Sequence, residues 1–272
     1  MPRGTRLFRW RARDNRSDPR RRARRGTSGG EVTHLRVGWH HDVSGDPVLL
    51  YSELDAARHE IRKVEVYRDG RGDRAGPGEA TGSTRLGSEP VPESAEIAAQ
   101  PEFTPEPISA EVFETAWRAA GMNALATQFT ASFEERCGYR PDVNRVVLAT
   151  APAKGFSGEL AVLYDVVREV SLPDLGNGFF VHAPEMVLLG IQGDSPTRLT
   201  GTVEDSIVVF GSDGGGSLFA LSTSGRGVYR LAGGSFLARG APYDGGDVTV
   251  VVPDIGRFLD CLRAGGVEAT QP

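Results

Sequence analysis

Short apolar runs separated by turn-forming residues restrict the possible folds of this chain more than any other feature. Leu35, Val37 and Trp39 alternate with other residues, as in a strand with one buried face. The 35 glycines and 17 prolines supply turns between such runs. We therefore predict an α+β protein of two small domains, each a mainly antiparallel sheet with covering helices. Similar runs are found at 48–51, 61–67, 206–210, 217–221, 228–231 and 248–252.

Helical patterns fall between these strands. The best-marked helix begins after Ser109, a good N-cap, and ends at Gly121, a residue type that often stops helices. A second amphipathic helix is predicted to end before Gly138. Apolar spacing predicts further helices at 158–170 and 253–262, and strand-like pieces at 179–182 and 186–191.

The N-terminal segment differs from the rest of the chain in charge. Residues 1–25 hold eleven arginines against Asp14 and Asp18, a net charge of +9. Without apolar periodicity, such a like-charged segment repels itself, so we predict that residues 1–31 are disordered. Three interpretations stay open: an arm that binds nucleic acid or an acidic surface, a tail without function, and translation that starts at Val32. The domains that follow are predicted at 32–121 and 122–268.

The rest of the chain is acidic. The other 247 residues hold 20 basic and 34 acidic side chains, a net charge of −14. Such a surface attracts basic partners and repels nucleic acid, although acidity also serves solubility alone. Five acidic residues in or beside predicted turns are our candidate partner-binding residues, and we expect them to be exposed: Glu53, Asp55, Asp213, Asp244 and Asp247.

The sequence indicates no metal, cofactor or membrane segment. Cys137 and Cys261 are far apart and form no CxxC pair, and the five histidines lack a ligand spacing. No apolar run approaches the roughly 18 residues that a membrane span needs, and no apolar segment follows the arginines as in a secretory signal. We therefore expect a cytoplasmic protein without cofactors.

Two motifs invite a functional interpretation that their surroundings do not support. Phe210-Gly-Ser-Asp-Gly-Gly-Gly-Ser217 is rich in glycine, but it lacks the Lys-Ser/Thr ending of a phosphate loop and precedes a strand. We interpret it as a hairpin turn. The tripeptide Arg71-Gly72-Asp73 is expected to be a chance match in a loop. The sequence shows no catalytic constellation, so we predict that the protein is not an enzyme.

Two stretches resemble known families. Residues 33–119 resemble a small uncharacterised bacterial domain, through Val37-Gly-Trp-His-His-Asp42, the segments 46–55 and 60–69, and Pro90-Val-Pro92 leading into 103–113. Residues 145–264 resemble the SUKH superfamily, which includes yeast cell-wall regulators and many bacterial immunity proteins. That resemblance rests on the segments 175–182, 208–221 and 228–231, and on the closing strand and helix at 248–262.

The SUKH resemblance implies a role in binding proteins. In bacteria, members often neutralise polymorphic toxins, many of them nucleases, and the genes for toxin and immunity protein usually lie side by side. We therefore expect an immunity protein whose partner is a basic toxin encoded nearby. A nucleic-acid-associated regulator that uses the Arg-rich segment is the alternative, followed by an enzyme of unrecognised type.

Overall fold

The computed structural model describes residues 31–232, 240–243 and 246–264. Within these ranges the chain has the predicted α+β class, with two sheets built from antiparallel strand pairs. Residues 1–31 were predicted to be disordered, and all of them except Glu31 lie outside the described ranges. None of the described helices is long and apolar enough to cross a membrane.

The described chain divides into two compact units. Residues 31–68 and 73–113 form the first unit, and 69–72 together with the described residues from 114 onward form the second. The division falls inside one continuous helix, α2 (Ala110–Cys137).

The first sheet has six strands in the described chain, in the order β5-β4-β3-β2-β1-β6. On one face of this sheet Leu35, Val37 and Leu50 form an apolar cluster with Ile97 of the short helix α1 (Ser94–Ala98). The strands are β1 (Thr33–Trp39), β2 (Pro47–Leu54), β3 (Glu60–Tyr67), β4 (Gly72–Gly76), β5 (Glu79–Ala80) and β6 (Phe103–Pro107).

The second sheet has eight described strands. Seven follow the order β14-β13-β12-β11-β9-β8-β7, and β10 pairs with β11. The strands are β7 (Arg145–Leu148), β8 (Val167–Leu172), β9 (Phe179–Val181), β10 (Arg198–Leu199), β11 (Asp205–Asp213), β12 (Leu218–Ser222), β13 (Val228–Ala232) and β14 (Asp247–Val252). The predicted hairpin run β11–β12–β13 is confirmed.

Aromatic packing joins the last helix to this sheet. The ring of Phe258, on α5 (Ile255–Arg263), lies 5.2 Å from Phe210 and 4.9 Å from Phe219, between ring centroids. Asp254 caps the helix by accepting a hydrogen bond from the backbone N–H of Arg257. The helix predicted near the C-terminus is therefore confirmed.

The predicted helix end at Gly121 is wrong. Helix α2 runs through Gly121, and buried Met122, Ala126 and Phe133 continue its apolar side. A glycine inside a helix costs only about 1 kcal/mol relative to alanine, which such burial outweighs. The helix stops at Gly138, where φ is 78°.

Three other element predictions need correction. Gly72 and Asp73, expected in a loop, lie in strand β4. Helix α3 (Gly158–Val166) ends four residues early, because Val167–Leu172 pairs with β7 and β9 as strand β8. The strand-like piece predicted at 186–191 lies in helix α4 (Pro184–Leu189) and a π-helical turn (Gly190–Asp194). Pro184 occupies the first turn of α4, a position that suits proline because its missing N–H has no partner there.

Candidate functional site

The candidate partner-binding residues within the described ranges differ in exposure, and the predicted exposure of Glu53 is wrong. In the first unit, the residue Glu53 is only 9% exposed, and Arg62 donates two hydrogen bonds to its carboxylate at 2.6 and 2.7 Å. Those bonds from Arg62 lower the pKa of Glu53. Asp55 is half-exposed at its side chain and accepts the backbone N–H groups of Ala57 and His59, both at 2.9 Å. Both residues therefore support local structure.

In the second unit, one candidate is buried and another is exposed. The side chain of Asp213 is only 2% exposed, so its predicted exposure is wrong. Asp247 begins strand β14 and is exposed, but β12 and β13 lie between it and β11, which ends at Asp213. Asp244 lies outside the described residues.

Asp213 organises the turn that joins β11 to β12. Its Oδ1 accepts the backbone N–H groups of Gly215 at 2.9 Å and Ser217 at 2.8 Å, and its Oδ2 accepts from Arg230 at 2.8 Å. Burial acts to raise the pKa of Asp213, but the hydrogen bonds from Arg230 and Ser217 outweigh it and hold the pKa below its usual value. The carboxylate is thus a structural anchor, and sequence reasoning had assigned it to a partner surface.

Replacing Asp213 with asparagine should lower the free energy of unfolding by about 1–3 kcal/mol at neutral pH, because an amide N–H₂ then faces the Arg230 donor. Because the pKa of Asp213 is lower in the folded state than in the unfolded state, its carboxylate stabilises the protein at pH values above the unfolded-state pKa. This contribution to stability is lost as the pH falls through the folded-state pKa. The difference between wild type and variant should therefore shrink below about pH 4. Urea unfolding at several pH values measures it, with exposed Asp247→Asn as the matched control. Equal losses in the two variants would contradict the anchoring role.

Close approach of Asn177 leaves no room for a Cβ at Gly214 and crowds the next position, Gly215. A Cβ on Gly214 would lie 2.2 Å from the backbone oxygen of Asn177, and one on Gly215 would lie 2.5 Å from the Asn177 side-chain nitrogen. The residue of this turn in the left-handed region is Gly216, with φ 86°, and not Gly215. The segment 175–178 therefore packs directly on the turn after β11.

A serine–histidine pair lies next to Asp213. The Nε2 of His182 is 2.9 Å from the Oγ of Ser212, and burial lowers the pKa of His182, which favours the neutral imidazole. A serine hydroxyl beside a neutral imidazole is the starting arrangement of acyl-transfer catalysis. Such catalysis also uses a group that orients the imidazole, and among the described residues no carboxylate is hydrogen-bonded to the other ring nitrogen. What the geometry shows is a side-chain link between the end of β9 and β11.

A buried group of ionisable residues lies in the first unit, on β3. Lys63 Nζ is 3.1 Å from Glu65 Oε1 and 3.9 Å from Glu60 Oε2, and the side chains of Lys63 and Glu60 are 3% and 0% exposed. Glu60 also accepts hydrogen bonds from Ser52 Oγ at 2.9 Å and the Gly87 N–H at 2.7 Å. Burial raises the pKa of Glu60, although Lys63 acts in the opposite direction. Sequence reasoning missed this group because strand alternation marks a shared face without showing its burial.

No group of histidine, cysteine and carboxylate side chains within the described ranges could hold a metal ion. Cys137 is exposed and Cys261 is partly exposed, and both are free thiols. Two groups of polar residues contact one another and stabilise the fold: Asp213 with Arg230 and Ser217, and Lys63 with Glu60 and Glu65. Any partner surface must be sought among exposed side chains.

Comparison with known proteins gives one family match. Residues 33–122, which contain β1 to β6 and the beginning of α2, match the model of a domain of unknown function, DUF6881. No curated protein and no solved structure matches the chain. The matched segment thus covers nearly all of the first unit, together with residues 69–72 and 114–122 of the second.

Proposed function

We propose that this protein is a non-catalytic immunity protein that binds a basic toxin and covers its active surface. The observation that carries the proposal is the charge of residues 26–272, whose 34 acidic and 20 basic side chains give a net charge of −14. A toxin that acts on nucleic acid must present basic residues to phosphates. An acidic inhibitor is complementary to such a surface and is steered toward it during association.

Both units contribute to the acidic excess. Residues 31–68 and 73–113 hold 15 acidic and 7 basic side chains, and residues 69–72 with 114–272 hold 19 and 13. Several carboxylates in the first unit are internal, such as Glu60, but most are solvent-exposed. Exposed examples in that unit are Glu31, Asp42, Glu79, Glu89, Glu93, Glu96, Glu106 and Glu111.

The arrangement of the second unit also supports the proposal. The two segments with the clearest SUKH resemblance, 175–182 and 208–221, are neighbours, because β9 pairs with β11. The Gly214 N–H donates to the Gly178 carbonyl at 3.1 Å, which links the turns of the two segments. A SUKH-like module would need these segments side by side. Because bacterial members of the SUKH superfamily often neutralise toxins, this resemblance supports an immunity role.

We expect a variant lacking residues 1–31 to bind the toxin domain encoded beside its gene and to rescue growth of cells that express this toxin. Its association rate constant should fall about tenfold or more between low and physiological salt, because salt screens electrostatic steering. Stopped-flow mixing measures the rate. The uncharged control is a low-salt buffer with sucrose, matched in viscosity to the buffer at physiological salt. Absence of a complex, or absence of growth rescue, would refute the proposal; a rate insensitive to salt would refute the electrostatic part.

The alternative is a nucleic-acid-associated regulator, favoured by the eleven arginines of residues 1–25. Removing residues 1–31 separates the two functions. An immunity protein should keep toxin binding in the truncated form, whereas a regulator should lose affinity for DNA or RNA. Tight, salt-dependent nucleic-acid binding by the full chain, without any toxin complex, would favour the regulator.

A further inference from the structure

An irregular segment of the first unit lies over the buried ionisable group on β3. Residues 82–90, which we call the strap, follow β5 and contain neither helix nor strand. Thr84 is buried, at 1% exposed, whereas six of the nine strap residues are exposed. The strap is thus a single layer of chain between the group on β3 and solvent. The exposed residues are Gly82, Ser83, Arg85, Ser88, Glu89 and Pro90.

Two hydrogen bonds join the middle of the strap to carboxylates of β3. The Oγ1 of Thr84 donates to Glu65 Oε2 at 2.7 Å, and the backbone N–H of Gly87 donates to Glu60 Oε2, also at 2.7 Å. These are the two carboxylates that contact the Lys63 amine, at 3.1 and 3.9 Å. The strap is therefore held in place by the groups that it covers.

Both ends of the strap are anchored. At one end, Thr81 donates its N–H to the Arg74 carbonyl at 2.8 Å, and its Oγ1 accepts the Arg74 N–H at 2.9 Å. At the other end, the buried Val91 donates its N–H to the Arg58 carbonyl at 2.8 Å and accepts from Arg58 Nε at 2.7 Å. These bonds offset the cost of the left-handed backbone of Arg58, where φ is 63°. The anchors confine movement of the strap to residues 82–90.

The forces that hold the strap differ from those that hold the strands. Opening the strap would break the bonds from Thr84 and Gly87, but it would also return three buried ionisable side chains to water, where charged groups are better solvated. Opening the strands would break ladder hydrogen bonds and expose apolar side chains. Segments with exposed backbone and few apolar contacts open at much lower free energy than the whole domain unfolds.

We propose that the strap opens locally while the strands of the first unit stay paired, and that this movement exposes the Lys63 amine together with Glu60 and Glu65. The strap is a gate over this group. When it is closed, the amine and the two carboxylates are paired and hidden; when it is open, all three face solvent. Amine-directed reagents then react with Lys63 in the folded protein.

Acetylation measures this opening directly, because the sequence has only two lysines and the other, Lys154, is an exposed internal reference. With the full chain and N-acetoxysuccinimide as the probe, Lys63 should react at least about 100-fold more slowly than Lys154. Its rate should change little in low concentrations of urea, because a local opening exposes little surface. Mass spectrometry of peptides measures both rates.

Two results with the wild type would overturn the proposal. One is a Lys63 rate that rises steeply with urea, in parallel with hydrogen exchange of the Val64 and Val66 amides of β3, because unfolding of the sheet would then expose the amine. The other is a Lys63 rate equal to that of Lys154, because the strap would then not be closed. Neither result depends on a variant that must fold.

Thr84→Val tests whether the strap controls the reaction. Valine keeps the shape of threonine but removes the hydroxyl that binds Glu65, so acetylation of Lys63 relative to Lys154 should become about tenfold faster or more. The matched control is Thr104→Val in β6, which removes a hydroxyl 2.8 Å from His40 Nε2 and should change this ratio by less than about twofold. Circular dichroism checks that both variants are folded. Equal ratios in folded Thr84→Val and Thr104→Val would contradict the gate.

Discussion

Replacing Lys63 with methionine is expected to lower the free energy of unfolding by about 3–5 kcal/mol at neutral pH, because it leaves buried carboxylates without their cation. Lys63 lies 3.1 Å from Glu65 and 3.9 Å from Glu60, and its side chain is only 3% exposed. Methionine fills similar space without a charge, so lost packing contributes little. Urea unfolding followed by circular dichroism measures the loss.

The pH dependence of this variant distinguishes a charge effect from a packing effect. The folded-state pKa of Glu60 is raised by burial, so its contribution to stability is present at low pH and is lost as the pH rises through that value. Without Lys63 the pKa of Glu60 should rise further, and the variant should recover stability as the pH falls from 8 toward 5. The other lysine of the sequence, exposed Lys154, provides the control Lys154→Met. A pH-independent loss similar to that of the control would count against a charge effect at Lys63.

Gly214→Ala is expected to destabilise the second unit by about 2–4 kcal/mol, through overpacking and a lost hydrogen bond. The new Cβ would lie 2.2 Å from the Asn177 carbonyl oxygen, a backbone atom that cannot rotate away. One of the two turns must therefore move, which breaks the bond from the Gly214 N–H to the Gly178 carbonyl. Hydrogen exchange of the β9 and β11 amides would show the loss locally.

Gly216→Ala is the matched control, because it lies in the same turn. Gly216 has φ 86° and no atom within 4 Å of an added Cβ, so alanine there costs only the left-handed conformation, about 1–2 kcal/mol. The loss in Gly214→Ala should exceed the loss in Gly216→Ala. The reverse order would mean that φ, and not the approach of Asn177, explains the glycines of this turn.

Local patterns in the sequence correctly predicted those elements that a few neighbouring residues determine. The strands β1, β3, β12 and β13 have clear apolar runs between turns, and each lies where it was predicted. Gly138 was expected to follow a helix and does so, with the positive φ that glycine readily adopts. These features depend on backbone conformation and on burial along one element.

Predictions failed where contacts between distant segments decide the conformation. Val167–Leu172 continues the apolar pattern of α3, but pairing with β7 and β9 makes it a strand. Gly121 has the residue type of a helix stop, but burial of Met122 and Ala126 keeps α2 continuous. For 186–191, the local signal at Pro184 was present, and the apolar run was wrongly given more weight.

The candidate sites show the same division between sequence and tertiary structure. The sequence by itself determined the strong acidic excess and the fact that Lys63 and Glu65 share one face of β3, since charge is additive and strand side chains alternate. Only the tertiary structure decided that this face is buried and that Asp213 holds its own turn with Arg230. The reason is physical: alternation and spacing tell which side chains point the same way, whereas burial and ion pairing depend on segments far apart in the chain.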